Sequence, residues 1–446
     1  MGKSAAKKRQ ALAEMAPFTV GIEDLTHEGY GVARRDGKAI FVDGALPGEQ
    51  AECVYTARRS RRDEARAVRI LTPAADRVEP QCAHFGVCGG CALQHLHPTS
   101  QLATKQRWLL DSLTHIGKAQ PNQVLEPVTG PLWGYRRRAR LGVKWVPKKG
   151  RVLVGFRERH SAYLADLRRC EVLDPRIGGL LEELAGLVEA LSIRDQVPQI
   201  EVAGGDAVLA LSVRVLAAPS EADLARLRAF GKQHGVTFYL QPGGPDSLQP
   251  LESEPPMLAY PLPAFDLDLL FQPAHFVQVN AAINRQLVER AGELLQIQPE
   301  DRVLDLFCGL GNFTLALARR AREVIGVEGD THLVAWARHN AAHNKVSNVA
   351  FYAADLAGDL ETQPWLQGRY DKILLDPPRS GALAMMPRLA ALAAQRIVYV
   401  SCHPATLARD IGELVHHCGY HLESVGVIDM FPHTAHVESI ALLVHK

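Results

Sequence analysis

The 446-residue sequence contains no apolar run near the roughly 20 residues that a membrane helix needs, and no secretory-type apolar stretch follows its basic start, MGKSAAKKRQALAEMA. The expectation is a cytoplasmic protein. Net charge is also nearly absent, 50 Lys+Arg facing 49 Asp+Glu, so the total alone points to no partner. Its distribution does. Residues 1–170 hold 29 Lys+Arg against 16 Asp+Glu, leaving 21 against 33 for the remainder. Such asymmetry implies a basic module that meets a polyanion, joined to an acidic module with another task; a solvated basic face is the plainer alternative. The eight cysteines suit metal binding or catalysis in a cytosolic chain better than disulfides. The length allows roughly two to four domains.

Between Phe18 and about Pro73, short β segments (FTVGIEDL, GYGVARRDG, KAIFVDGAL, EQAECVYTARRS, EARAVRILT) are broken by glycine turns. This pattern predicts a small β-barrel of the OB type. Arg58, Arg59, Arg61 and Arg62 fall at a strand-to-strand loop, where they would meet phosphates. With THEGYGVAR, the segment resembles a TRAM domain.

Next comes PQCAHFGVCGGCALQHL, in which Cys82, Cys88 and Cys91 fit one metal centre, with Cys170 in LRRCEVLDP the candidate fourth ligand. Thiolates serve zinc or an iron–sulfur cluster, and His84, His95 or His97 would complete a Cys3His zinc site. Within the same interval YRRRARLGVKW sets Arg136, Arg137, Arg138 and Arg140 among Trp133, Tyr135 and Trp145, a mixture suited to phosphate contact and base stacking. Residues 180–265 carry no chemical motif, and the proline-rich stretch 251–265 reads as a connection.

From Phe276 onward strands and helices alternate as in a parallel α/β sheet. RVLDLFCGLGNF presents a buried strand, a turn through Gly309 and Gly311, and a helix from about Thr314. A dinucleotide fingerprint would want a small residue at Thr314, so that reading fits poorly. Successive strands then end on Glu328, placed for ribose hydroxyls, Asp355, placed for an adenine amino group, and Asp376. That series is the layout of an S-adenosylmethionine methyltransferase. RIVYV delivers Ser401 and Cys402 to the same edge, where a thiolate would add to carbon 6 of uracil and activate carbon 5. A base must then take the carbon-5 proton. Glu438 enters the final strand in an apolar setting that raises a carboxyl pKa; His433 and His436 compete for the role.

With FVQVN, LDLFCGLGNF, LLDPPRSG, YVSCHPATLARD and DMFPHTAHVES in order, the chain resembles the RNA uracil-C5 methyltransferases, and with its barrel and cysteines most resembles their 23S rRNA branch. The resemblance implies a multidomain fold: a basic tail (1–16), a small all-β OB-like TRAM barrel (17–75), an α+β central iron–sulfur domain (76–265) and a C-terminal α/β Rossmann-like class I methyltransferase (266–446). It implies a [4Fe–4S] cluster on Cys82, Cys88, Cys91 and Cys170. It further implies contacts to S-adenosyl-L-methionine from Gln278, Phe307, Asn312, Glu328, Asp355 and Asp376, with Cys402 as nucleophile and Glu438 as general base. The implied partner is 23S rRNA. His403 stands where Asn is commoner, and one extra residue separates the Cys402 and Glu438 motifs. The rivals are the tRNA branch, a non-enzymatic RNA binder, and an amino-group methyltransferase using Asp376-Pro377-Pro378, though Arg379 stands where that chemistry wants an aromatic.

Overall fold

The computed structural model describes residues 15–358, 360 and 363–446, so most of the basic tail, residues 1–14, lies outside the described residues. The chain divides into two compact units. The first holds residues up to Lys105 with Glu158–Ser161 and Pro432–His436; the second holds Gln106–Arg157, Ala162–Phe431 and Val437–Lys446. No helix among the described residues is long and apolar enough to cross a membrane.

In the first unit, β1 (Phe18–Gly21), β2 (Asp24–Leu25), β3 (Gly31–Arg35), β4 (Lys38–Asp43), β5 (Gln50–Arg58) and β6 (Arg62–Thr72) form one sheet, ordered β1-β5-β6-β4-β3-β2. FTVGIEDL is two strands rather than one because the backbone changes partner. Ile22 N–H still donates to Glu49 O, beside β5, whereas Glu23 N–H donates to Val32 O of β3. Alternating side chains bury Phe18, Val20, Ile40, Val42, Ala51, Cys53 and Ala65 in one core, and β1 touches β3 without pairing, so the sheet curls around it. The arginine-rich hairpin turn lies where the sequence predicts. Three of its four arginines are engaged with protein, however: Arg58 pairs with Asp63 at 3.6 Å, Arg59 with Glu64 at 2.9 Å, and Arg62 lies over the Phe41 ring.

In the second unit, β7 (Gln123–Val124) precedes a mixed sheet of β8 (Arg138–Val146), β9 (Arg151–Gly155), β10 (Gln199–Gly204), β11 (Leu209–Arg214), β12 (Val236–Gln241) and β13 (Gln249–Pro250), ordered β13-β12-β11-β10-β8-β9. Helix α1 (Leu181–Glu189) packs on β9 and α2 (Glu221–His234) on β12. The α2 start is fixed by a capping box in which Ser220 and Asp223 bond each other's backbone amides. A hairpin, β14 (Leu258–Leu262) and β15 (Leu267–Phe271), follows.

The third sheet of the chain's larger unit positions the site. Helix α3 (Ala281–Leu295), capped by Asn280, leads into β16 (Arg302–Leu306), α4 (Thr314–Ala318), β17 (Glu323–Glu328), α5 (Thr331–His343), β18 (Val349–Ala353), β19 (Lys372–Leu375), α6 (Met386–Leu392), β20 (Arg396–Ser401), α7 (Pro404–His417), β21 (Tyr420–Ile428) and β22 (Glu438–His445). Strand order is β18-β17-β16-β19-β20-β22-β21-β7. The strands from β18 to β20 are parallel, and the order reverses between β16 and β19, which opens a ligand crevice beyond their carboxyl ends. Buried Val303, Val324, Leu374, Val398, Ile440 and Leu442 knit the sheet to Leu287, Val288 and Ala291 of α3.

Ile40 is 1% exposed in the curled sheet's core. Ile40→Ala should therefore cost about 2–5 kcal/mol, read as a lower urea midpoint of unfolding.

Candidate active site

Beyond β16 the chain turns through Phe307, Gly309 and Gly311 at φ of 65°, 56° and 94°. Glycine adopts this region freely, whereas a side chain there costs roughly 1–2 kcal/mol, so half-buried Phe307 sits in a loop whose shape its surroundings enforce. The Gly309 N–H donates to Glu328 Oε2 at 3.0 Å, and Asp330 N–H to Glu328 Oε1 at 3.1 Å. Glu328 thereby fixes the turn and, with about four lone-pair positions on a carboxylate, keeps acceptor capacity for two more donors. Asn312 is more committed than the sequence implies. Its Oδ1 accepts from Tyr260 Oη and Asn284 Nδ2, and its Nδ2 donates to Asn284 Oδ1, each at 3.0 Å, which leaves at most one amide N–H for a ligand. Asp355 is exposed after β18, with Oδ1 accepting from Ala357 N–H, and Gln278 is half-buried ahead of α3.

Sequence reasoning passes over Asp305. It is wholly buried within β16; Oδ2 accepts from Thr314 Oγ1 at 2.5 Å and Oδ1 has no partner. Burial, reinforced by Asp376 and Glu328 and opposed by Thr314, pushes its carboxyl up to about 7. The available signal was the carboxylate itself, since an acid interrupting V-L-D-L-F is costly unless paired or used. Thr314, the misfit for a dinucleotide loop, is what bonds it.

The reactive end is assembled by β20 and β22. Their antiparallel register pairs Val400 with Ile440 and Ser401 with Ser439, so Cys402 and Glu438 are next in line at the carboxyl edge of β20. Glu438 is 4% exposed, and burial followed by the charge of Asp376, against opposition from Arg379, pushes it up to about 8. Half-buried Cys402 is raised by burial first and then by Glu438 and Asp376, while Arg379 opposes through its charge and a hydrogen bond. Asp376 directly follows β19 and is pushed up to about 7 by burial. Arg379, which the sequence offered only as an argument against amine methylation, thus stands at the thiol as the counter-charge that favours the thiolate. His403 caps α7, its Nδ1 accepting from Thr406 N–H at 3.4 Å, which is the bond an Asn cap would accept. Cys308 is packing: 4% exposed, its Sγ 3.0 Å from the place a Cβ on Gly326 would occupy.

Other expected residues have different surroundings. Among the described residues no group of three or more His, Cys, Asp or Glu side chains is gathered as a metal site, whether for zinc or for an iron–sulfur cluster. His95 is buried, its ring tilted against Phe85, with neither ring nitrogen partnered. Cys82, Cys88 and Cys91 belong to the first unit and Cys170 to the second; all four are half-buried and none forms a disulfide. The Gly90 N–H donates to Cys88 Sγ at 3.4 Å. His433 is held by Gln101, whose Oε1 accepts its N–H at 2.9 Å, and His436 N–H donates to Thr434 Oγ1. The arginines of YRRRAR bind protein: Arg137 pairs with Asp206, Arg138 donates to His275 O and Ala274 O, Arg140 pairs with Glu201, and Arg136 lies over Phe156. Tyr135 is buried, and Arg194 covers Trp145.

The family model described as tRNA (Uracil-5-)-methyltransferase matches residues 266–446, and that of the TRAM domain matches 17–54. The chain is 54% identical over 437 residues to the 23S rRNA (uracil(1939)-C(5))-methyltransferase RlmD of Alkalilimnicola ehrlichii, covering 98% of each. It is 50% identical over 432 residues to the protein of that name from Xanthomonas axonopodis pv. citri, covering 96% of this chain and 97% of that one. A solved structure of Pyrococcus abyssi tRNA (uracil-54, C5)-methyltransferase in complex with S-adenosyl-L-homocysteine is 25% identical, with a TM-score of 0.74 over 96% of this chain and 99% of that one.

A raised folded-state pKa means that Glu438 stays protonated in the fold where the unfolded chain has already ionised. Its stability contribution is full below the ordinary carboxylate pKa and is lost as pH rises toward about 8. Melting temperature should fall between pH 5 and 8.5, and Glu438→Gln should flatten that fall by roughly a few kcal/mol in equivalent stability. Parallel curves for the two proteins would contradict the buried, neutral carboxyl.

Proposed function

The chain belongs to the RNA uracil-C5 methyltransferase family, and from that membership we infer that it methylates carbon 5 of a uridine in 23S rRNA, position 1939 by its relatives' description. Identity favours ribosomal over transfer RNA, at 54% against 25% for the tRNA-acting solved structure. The observation that carries the chemistry is the register that sets Cys402 and Glu438 next to each other beside Asp376 and Arg379.

When bound, S-adenosyl-L-methionine supplies an electrophilic methyl sulfonium. Gln278, Phe307, Asn312, Glu328, Asp355 and Asp376 surround it in this reading, and the unpartnered Asp305 oxygen adds a buried acceptor. The target uridine leaves its stack to reach the sheet edge. The Cys402 thiolate adds to carbon 6, which shifts the pyrimidine π electrons onto carbon 5 and its carbonyl and makes carbon 5 the nucleophile for the methyl group. Arg379 favours the thiolate against burial. Glu438 then removes the carbon-5 proton, the C6–S bond breaks, and the thiolate leaves 5-methyluridine. A carboxylate whose conjugate acid titrates near 8 is a far stronger base than an ordinary one. Domain limits of 17–75, 76–265 and 266–446 go with this reading.

A [4Fe–4S] cluster on Cys82, Cys88, Cys91 and Cys170 is part of the proposal. What supports it is the family resemblance and the donor set: four thiols outside disulfides, one of them accepting a backbone N–H of the kind that tunes cluster ligands.

RNA carrying 5-fluorouridine at the target should trap the protein covalently, because fluorine cannot leave as the proton does. Cys402→Ala should give no adduct, and equal trapping would end its assignment as nucleophile. Glu438→Gln should still form the methylated adduct but release product about 10²–10⁴-fold more slowly, judged by single-turnover quench. Anaerobic purification should yield visible charge-transfer absorption with about four iron and four sulfide per chain; stoichiometric zinc instead would replace the cluster.

A further inference from the structure

The Cys402 thiol and the Arg379 guanidinium come from different elements, yet one buried carboxylate touches both supports. Asp410 is wholly buried on α7. Its Oδ2 accepts from Tyr399 Oη at 2.6 Å and from Ala382 N–H at 2.7 Å, and its Oδ1 accepts from Arg409 Nε at 2.8 Å. Tyr399 lies on β20, three residues before Cys402; Ala382 lies three residues after Arg379. Two further α7 side chains grip the same loop: Thr406 Oγ1 donates to Arg379 O at 3.1 Å and Arg409 Nη2 to Ser380 O at 2.9 Å. Positions 406, 409 and 410 share one helix face, so the helix holds residues 379–382 as a unit. Gly381 fits this approach because it is at φ +76° and a Cβ there would meet Asp410 Oδ2 at 2.5 Å.

We infer that Asp410 is a positioning residue for the thiol chemistry: by tying β20 to the loop of residues 379–382, it fixes the Arg379 guanidinium against Cys402. This rests on the reading of Cys402 as the nucleophile. Asp410 touches neither substrate nor reacting atoms and acts through Arg379. The groups facing the thiol are Glu438 from β22, Asp376 and Arg379 from the loop after β19, and of these only Arg379 favours the thiolate. A carboxylate accepts every hydrogen bond offered to it, whereas an amide in its place turns one donating end toward donors and loosens the loop.

The test is the pH profile of Cys402 alkylation by iodoacetamide in the full-length protein, read on the Cys402 peptide by mass spectrometry, with the other cysteines as internal references. Asp410→Asn should move the Cys402 midpoint upward by about one unit, so that labelling below it falls about tenfold. S-adenosyl-L-homocysteine affinity should stay within about twofold, since five of the six proposed cofactor contacts, all but Asp376, lie on other segments. Arg379→Ala should produce a similar shift, and the double variant no more than Arg379→Ala alone. An unmoved midpoint with only a lower melting temperature, or additive shifts, would overturn the inference. If Asp410→Asn does not fold, Thr406→Val removes one hydrogen bond from the same grip; it should shift the midpoint in the same direction by less, and no shift overturns the inference equally. Alkylation needs no RNA. Absence of a fluorouridine adduct with the wild-type protein would therefore reject the nucleophile while leaving the shift readable.

Discussion

The insertion of one antiparallel strand is the constraint on which the site depends. A parallel sheet presents only carboxyl ends at its ligand edge, so another crossover would add another carboxyl end. β22 runs the other way, paired on one side to β20 and on the other to β21. Its first residue, Glu438, therefore arrives where β20 has just released Cys402. Because side chains alternate faces, a slip of one residue would turn the carboxyl to the opposite side of the sheet, and the buried ladder around Ile440 and Leu442 specifies against it.

That closeness sets the electrostatics. Asp305, Asp376 and Glu438 are all pushed upward by burial, and Asp376 raises the other two. Buried like charges cannot all ionise at neutral pH without large desolvation and repulsion costs. Arg379 is the cation that opposes this at both Cys402 and Glu438. The edge is thus built at the expense of stability, as sites that need shifted proton affinities commonly are.

Much of the layout is legible in the residues because it follows from period and position. The strands ending on Glu328 and Asp376, the glycine loop, and the cysteine closing RIVYV are read from apolar runs meeting polar ends. What escapes is whatever depends on three-dimensional partners. Asp305 hides inside an apolar strand, and its value lies in an unpartnered oxygen. Arg379 follows two prolines with nothing local to direct it toward Cys402. The arginines of residues 136–140 read as an RNA face, yet Asp206, Glu201 and the carbonyls of Ala274 and His275, far away in sequence, accept hydrogen bonds from Arg137, Arg138 and Arg140. The amide of Asn312 is likewise occupied by Asn284 and Tyr260. Composition measures charge, and folding decides how much of it is left for a ligand.

The short strand β7 has a further meaning. Ser424 and Val425 of β21 pair with Gln123 and Val124, and Leu125 N–H donates to Val425 O. Residues from the central part of the chain thus cover part of the β21 edge of the eight-stranded sheet. An uncovered edge strand is a template for pairing with other chains. The span 266–446, cut out alone, would lose that cover from β21, so the part of the chain that matches the catalytic family model leans on residues outside it.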